Sequence, residues 1–374
     1  FLGTLSAFGP FVTDLYLPAL PTMSSCFNSS TSTIQLTLTG SMVGLALGQL
    51  LIGPISDKYG RKNPLIISLI VYLISTLAII IFPNVYAMIT LRFIQGVSSA
   101  GAVVISRAIS TDLYHGRELA AFFALLMAVN GLAPILSPIL GSLLLELTDW
   151  RGIFVTLALI GVILLAVSFK FNESLAIEKR LDLPITKTYY SIVHVAKNRL
   201  FFALVIIQGF ALAAMFAYIA ASPFILQTHY SLSPLMYSLC FGLNGFAIVL
   251  GSKNAGNFKE KISIKLGLSL MLLVSIYLAV ALTLTLPFLF IEVGFFLLLL
   301  GLGFILPAGS AIAMSLERER AGSASTFFGF VPFFLGGVVS PLVGIGNIFH
   351  SSAIAIVICS TISFITFKLV EKKI

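Results

Sequence analysis

Apolar stretches of about twenty residues recur along the whole chain, separated by short polar segments. They run at roughly 1–22, 34–55, 64–82, 86–108, 119–145, 152–171, 200–221, 233–251, 264–284, 286–308, 322–346 and 351–369. About twenty apolar residues make one helical crossing of a bilayer, whose core leaves no other partner for the backbone. The runs are continuous rather than alternating with period two, which argues against a β-barrel. The pattern predicts an all-α membrane protein with twelve transmembrane helices. Two of the connections are very short, marked by Pro83-Asn84 and Leu286-Pro287. Phe1 already lies within an apolar run, so the natural N-terminus is expected to precede this numbering.

Composition agrees. Of 374 residues 58% are hydrophobic and only 10% charged, against about 25% charged in soluble domains. A soluble enzyme, a disordered chain and a nucleic-acid binder are excluded together. The three cysteines, Cys26, Cys240 and Cys359, are far apart and lack companions at metal-ligand spacing, so no metal or other cofactor is expected.

The net charge of +8 takes its meaning from position. All but two of the 22 Lys and Arg fall in loops on the side of the 56–63 connection. The exceptions are Arg151, in an opposite loop, and Arg92, within a span. Basic loops stay cytoplasmic, so an even number of spans places both termini in the cytoplasm. The longest polar segment, 172–199, reads as a cytoplasmic linker between two six-helix halves, 1–171 and 200–374. The halves are weakly self-similar: Leu132–Gly141 aligns with Leu335–Gly344, an offset that also sets Arg117 on Arg320. Two repeated six-helix halves are the layout of a secondary transporter with its site near the bilayer midplane.

Charges inside spans are expensive and point to function. Asp14 in the first span and Arg92 in the fourth lie at similar depths, roughly 10 Å below the outer surface at about 1.5 Å per residue. Equal depth and opposite charge predict a pair, direct or through water. Burial and a neighbouring cation act in opposite senses on a carboxylate, which leaves such a group able to titrate near working pH. A proton that moves inward gains about 2.3 kcal/mol per 100 mV. The competing reading is a static buried ion pair that fixes helix packing. Glu292, in the tenth span, is a third proton-coupling candidate, open between a second proton site, a cation contact and an interfacial acid.

The loop Gly53-Pro-Ile-Ser-Asp57-Lys-Tyr-Gly60-Arg61-Lys62 combines glycines suited to a tight turn with an acid and bases. Arg107 and Asp112, at the cytoplasmic end of the fourth span, are natural partners for Asp57 and Arg61. The fifth span carries Asn130-Gly131-Leu-Ala-Pro134-Ile-Leu-Ser-Pro138-Ile-Leu-Gly141, whose prolines and small residues allow bending and close helix approach. Polar residues that could line a central cavity are Tyr16, Gln49, Gln95, Asn130, Gln208, Tyr218 and Asn244. Each is at least as suited to joining helices. An otherwise apolar lining suits lipophilic or amphipathic cargo.

These motifs resemble a known family. Gly53–Lys62 is similar to motif A of the major facilitator superfamily, and Arg92-Phe-Ile-Gln95-Gly96 resembles its motif B. Asn130–Gly141 resembles motif C, the antiporter motif, with Ala133 and Ser142 where glycines are usual. Asp14-Leu-Tyr16-Leu-Pro18-Ala-Leu-Pro21 and Trp150-Arg151-Gly-Ile-Phe154 resemble the Bcr/CflA drug-resistance subfamily. The counterpart of motif A in the second half, Gly251-Ser-Lys-Asn-Ala-Gly-Asn, lacks the acid. The resemblance implies the major facilitator fold and a monomeric drug:proton antiporter of a bacterial inner membrane, not an enzyme. Its partners would be small-molecule substrate, protons and lipid, with no nucleic acid. It gives proton coupling to Asp14, modulation of its pKa to Arg92, a charge relay to Asp57, Arg61 and Asp112, and a hinge to Pro134, Pro138 and Gly141. Rival readings are a transporter of one metabolite or siderophore on the same fold, and a non-transporting membrane receptor.

Overall fold

The computed structural model describes residues 1–180, 185–317 and 320–373. Arg318 and linker residues 181–184 lie outside the described residues, as do the side chains of Arg117, Lys179 and Lys187. All regular elements among the described residues are helical.

Among the described residues, eleven helices are long and apolar enough to cross a membrane. They are α3 (Thr31–Tyr59), α4 (Lys62–Ile81), α5 (Val85–Leu113), α6 (Gly116–Leu147), α7 (Trp150–Lys170), α9 (Arg199–Pro223), α10 (Pro234–Ala255), α11 (Glu260–Thr283), α12 (Phe288–Leu316), α13 (Ala321–Val343) and α14 (Ile348–Val370). The first span departs from the expected continuous helix. It breaks into α1 (Leu2–Asp14), a single tight turn at Leu17–Ala19, and α2 (Leu20–Cys26). The cause is local. Pro18 has no N–H for the carbonyl of Asp14, and Pro21 has none for that of Leu17. The linker also departs from a plain polar loop, since Ile185–Ala196 forms α8 and buries Ile192 and Val195.

Side-chain placement is that of a membrane protein. α4 exposes Ile67, Ile70, Ile74, Leu77 and Ile81, spaced three and four apart along one face, which a bilayer would cover. Its hydroxyl groups, on Ser68, Tyr72, Ser75 and Thr76, are buried. Polar side chains thus turn inward, the reverse of a soluble helix. The short connection before α5 is capped by Asn84, whose side chain accepts from the N–H groups of Tyr86 and Ala87 at 2.9 and 3.1 Å.

Contacts divide the chain into two compact units, Phe1–Ser29 with Leu36–Tyr189, and Ser30–Gln35 with Tyr190–Ile374. In the first, α1 packs on α5 and α6, and α4 on α5 and α7. In the second, α12 packs on α10 and α11, and α9 on α13 and α14.

Candidate functional site

In the first unit the break after α1 positions a buried polar cluster. Where the helix stops at Asp14, the chain turns and carries the Tyr16 ring beneath the Arg92 guanidinium, with Cζ 4.2 Å from the ring centroid. This is cation–π distance. Phe154 of α7 lies on the same guanidinium at 5.8 Å. Arg92 donates from Nη1 to the Val12 carbonyl at 2.9 Å and to Gln95 Oε1 at 2.6 Å. Gln95 passes the chain on to Thr76 Oγ1 at 2.7 Å, and Thr76 donates to the Tyr72 carbonyl at 2.7 Å. The Tyr16 hydroxyl is 3.2 Å from Thr37 Oγ1.

Asp14 is buried, with 8% of its surface accessible, and lies within electrostatic reach of Arg92. Of the two arrangements expected, direct or through water, the direct ion pair is not formed. Among the described residues the ion pairs are elsewhere, and Arg92 reaches the Asp14 helix at the carbonyl of Val12. Two guanidinium nitrogens, Nε and Nη2, are buried without a hydrogen-bond partner. The cluster therefore holds a fixed cation with donors to spare beside an acid it does not touch.

α6 closes over the same bend. Gly141 lies so near Leu15 that a Cβ there would run into the Leu15 carbonyl oxygen. Asn130 donates to Ser6 Oγ on α1 and to the Leu126 carbonyl. Pro134 and Pro138 sit inside an unbroken α6, and Gly131 faces open space. The antiporter-like segment thus grips the helix that carries Asp14.

In the second unit Glu292 of α12 is buried, as are Tyr218 of α9 and Asn244 of α10. Asn244 Nδ2 donates to Glu292 Oε1 and to the Tyr218 hydroxyl oxygen, both at 3.0 Å. Glu292 Oε2 and Asn244 Oδ1 have no partner. Phe241 stacks on Tyr218 at 5.8 Å, and Phe295 lies 4.8 Å from it.

A third cluster forms at the loop before α4. Gly60 takes φ +89°, a left-handed conformation that favours glycine. It turns the chain so that Arg61 points back to α3 and α5. Arg61 donates to Asp112 Oδ2 at 2.9 Å, to Ser56 Oγ at 2.9 Å, and to Asp57. Burial works against its charge, yet the hydrogen bonds and charges of Asp112 and Asp57 outweigh it and raise its pKa.

Two expectations for this loop need correction. Gly53 takes no part in the turn, because α3 continues through Pro54 to Tyr59. Arg107 joins none of these bonds and is exposed. It lies five residues from Asp112, about 140° around the helix, so the two cannot face the same loop.

Residues that sequence reasoning passed over complete the cluster. Glu173 accepts from the backbone N–H groups of Arg61 at 2.8 Å, Lys62 at 3.1 Å and Leu175 at 3.0 Å. Burial opposes its charge, but these donors and Arg180 hold the carboxyl below its usual value. Ser174 donates to Asp112 Oδ2 at 2.9 Å, and Lys62 Nζ to the Phe169 carbonyl at 2.9 Å. The available signal was Glu173 as the first of three acids in the linker.

Of the expected cavity residues, Tyr16, Gln95, Tyr218 and Asn244 are hydrogen-bonded inside their own units. Gln49 and Gln208 keep 8% and 7% of their surface accessible, and Gln208 Oε1 lacks a partner.

Long apolar helices that turn their polar side chains inward define a polytopic membrane protein of the transporter class. The sequence pattern of the Major Facilitator Superfamily matches residues 2–341, and the chain belongs to that family. The uncharacterized MFS-type transporter YdgK of Bacillus subtilis (strain 168) is 36% identical over 353 residues, covering 92% of this chain and 88% of that protein. A bicyclomycin resistance protein homolog of Haemophilus influenzae is 27% identical over 347 residues, 91% and 87% of the two chains. Among solved structures, the xylose transporter XylE from E. coli superposes with a TM-score of 0.74 at 13% identity, over 98% and 96% of the chains. That likeness concerns the fold alone.

Proposed function

We propose that this transporter exports lipophilic or amphipathic small molecules in exchange for protons, as a monomer in a bacterial inner membrane with both termini cytoplasmic. The two halves, 1–171 and 200–374, would open the substrate path alternately to the two sides. The observation that carries the reading is the buried Asp14, set at a helix break beside the under-bonded Arg92. With Asp14 charged, the cluster is electrically balanced. A proton on Asp14 removes that balance, frees Arg92 to seek other acceptors, and favours substrate release on the outer side. α6, gripping the break through Gly141 and Asn130, is placed to turn such a local change into helix movement, with Pro134 and Pro138 as its bending points. Asp57, Arg61 and Asp112 would act as a cytoplasmic latch. Gln49 and Gln208 would contact substrate. The bicyclomycin resistance homolog, aligned over most of both chains, supports export of a drug-like cargo.

Asp14→Asn tests the assignment. In inverted vesicles with an imposed pH gradient, it should abolish proton-driven transport while leaving substrate exchange without a gradient. Undiminished proton-driven transport in that variant would overturn it.

A further inference from the structure

The second unit buries an acid that the coupling scheme at Asp14 does not need. Glu292 sits beside Tyr218 and Cys240, with Tyr277 of α11 turned to the Phe290 carbonyl. Among the described residues no Lys or Arg pairs with it. Asn244 directs its two bonds to Glu292 Oε1 and Tyr218, and the Cys240 thiol beside the carboxyl is only a weak donor. Glu292 Oε2 and Asn244 Oδ1, one on each side of that bond, are left as buried acceptors with no donor. Each such orphan costs the desolvation of a polar group, more so when it is charged. Phe241 and Phe295 pack on the ring of Tyr218, whose hydroxyl shares Asn244 with Glu292. Surplus acceptors, an acid with no basic partner and aromatic rings share one complement: an organic cation with N–H donors.

We propose that Glu292, Asn244 and Tyr218 form the recognition site for a protonated amine on the transported molecule. The ammonium N–H groups donate to Glu292 Oε2 and Asn244 Oδ1, and the cation rests against the rings. A bare metal cation is served less well. Two oxygens and the Tyr218 hydroxyl fall short of the shell a hard cation takes, and among the described residues no metal-holding group of His, Cys, Asp and Glu occurs. This assignment deepens the export reading and rests on it for the direction of transport, but the preference for a charged amine is set at Glu292 and not at Asp14.

The test is binding of a fluorescent lipophilic primary amine, dansylcadaverine, and of its neutral N-acetyl analogue to the purified full chain. The expected result is at least tenfold tighter binding of the amine than of the acetylated probe. Glu292→Gln and Asn244→Leu should each remove that preference and leave the acetylated probe bound as before, which also reports a folded site. Equal affinity of the natural chain for both probes would overturn the proposal. So would a preference retained in Glu292→Gln, or displacement of the amine by sodium at equal ionic strength. Should Glu292→Gln lose both probes, the ratio in Asn244→Leu decides in the same way. Asp14→Asn should lose proton-driven transport yet keep the preference for the amine over the acetylated probe, so failed coupling and failed recognition are read separately.

Discussion

The two units bury polar clusters of opposite character in corresponding spans, the fourth and the tenth. On α5, Arg92 has one nitrogen bonded to Val12 and Gln95 and two left over. On α12, Glu292 has one oxygen bonded to Asn244 and one left over. The first cluster has spare donors, the second spare acceptors. Both lie against aromatic rings, Tyr16 and Phe154 in one and Tyr218 with its neighbours in the other. The scaffold around them is similar. Gly44 of α3 meets the backbone of Phe93 on α5, and Gly303 of α12 meets that of Ile248 on α10, the close approach that small residues allow in membranes. A repeated backbone can thus keep its helix contacts while the polar insert changes sign. The loops diverge likewise. The first unit ties Arg61 to two acids. In its counterpart Asn254 only bonds back to the Leu250 carbonyl of its own helix.

The largest effect should come from exchanging the cation of the first cluster for another. Arg92→Lys keeps the charge but loses the flat fork that bonds Val12 and Gln95 while lying on Tyr16. Proton-driven export should fall to background in vesicles, with the protein still produced and folded. Full export in this variant would mean that charge alone matters at Arg92, and the contrast drawn from its geometry would collapse.

An intermediate effect belongs to the loop, where α5 carries two charged residues of different consequence. Asp112→Ala strips Arg61 and Ser174 of their shared acceptor and leaves a guanidinium that is only 7% accessible. Loss of a charged hydrogen bond at a buried site should cost about 1.5–3 kcal/mol, read as a lower unfolding temperature in detergent. Arg107→Ala touches none of these bonds and should leave that temperature within error. Equal responses would restore Arg107 to the cluster.

Sequence reading reached the helices because a crossing is a matter of length and summed hydropathy. It reached Asp14, Arg92, Glu292, Arg61 and Asp112 because a charge within or beside an apolar run stands out singly. It failed where the answer depends on helical phase or on one missing backbone donor. Arg107 was grouped with Asp112 by nearness in sequence, although the helix turns them apart. The first span was read as one helix by length, although Pro18 and Pro21 break it. Depth set Arg92 beside Asp14 but does not say which atoms a guanidinium meets, here the Val12 carbonyl and Gln95. The linker helix Ile185–Ala196 carries Tyr189, Ile192 and Val195 at spacings of three, a pattern short enough to pass as loop.

The smallest effect is expected at Glu173, and it carries a pH signature. Its carboxyl accepts from the backbone N–H groups of Arg61 and Lys62 at the start of α4 and from that of Leu175 in its own segment. These donors favour the charged form, so its pKa in the folded protein lies below the ordinary value of 4.5. A carboxylate with a depressed pKa adds stability that is fully present above the unfolded value and is lost as pH falls through the folded value. Glu173→Gln should therefore lower the unfolding temperature at neutral pH by the equivalent of about 1 kcal/mol, a figure reduced by screening at a part-exposed site. The difference from the natural chain should shrink steadily below pH 4.5. No difference at any pH would mean that the side-chain amide replaces the carboxylate without loss of charge-assisted bonding. The loop would then be held by Arg61 and Asp112 alone.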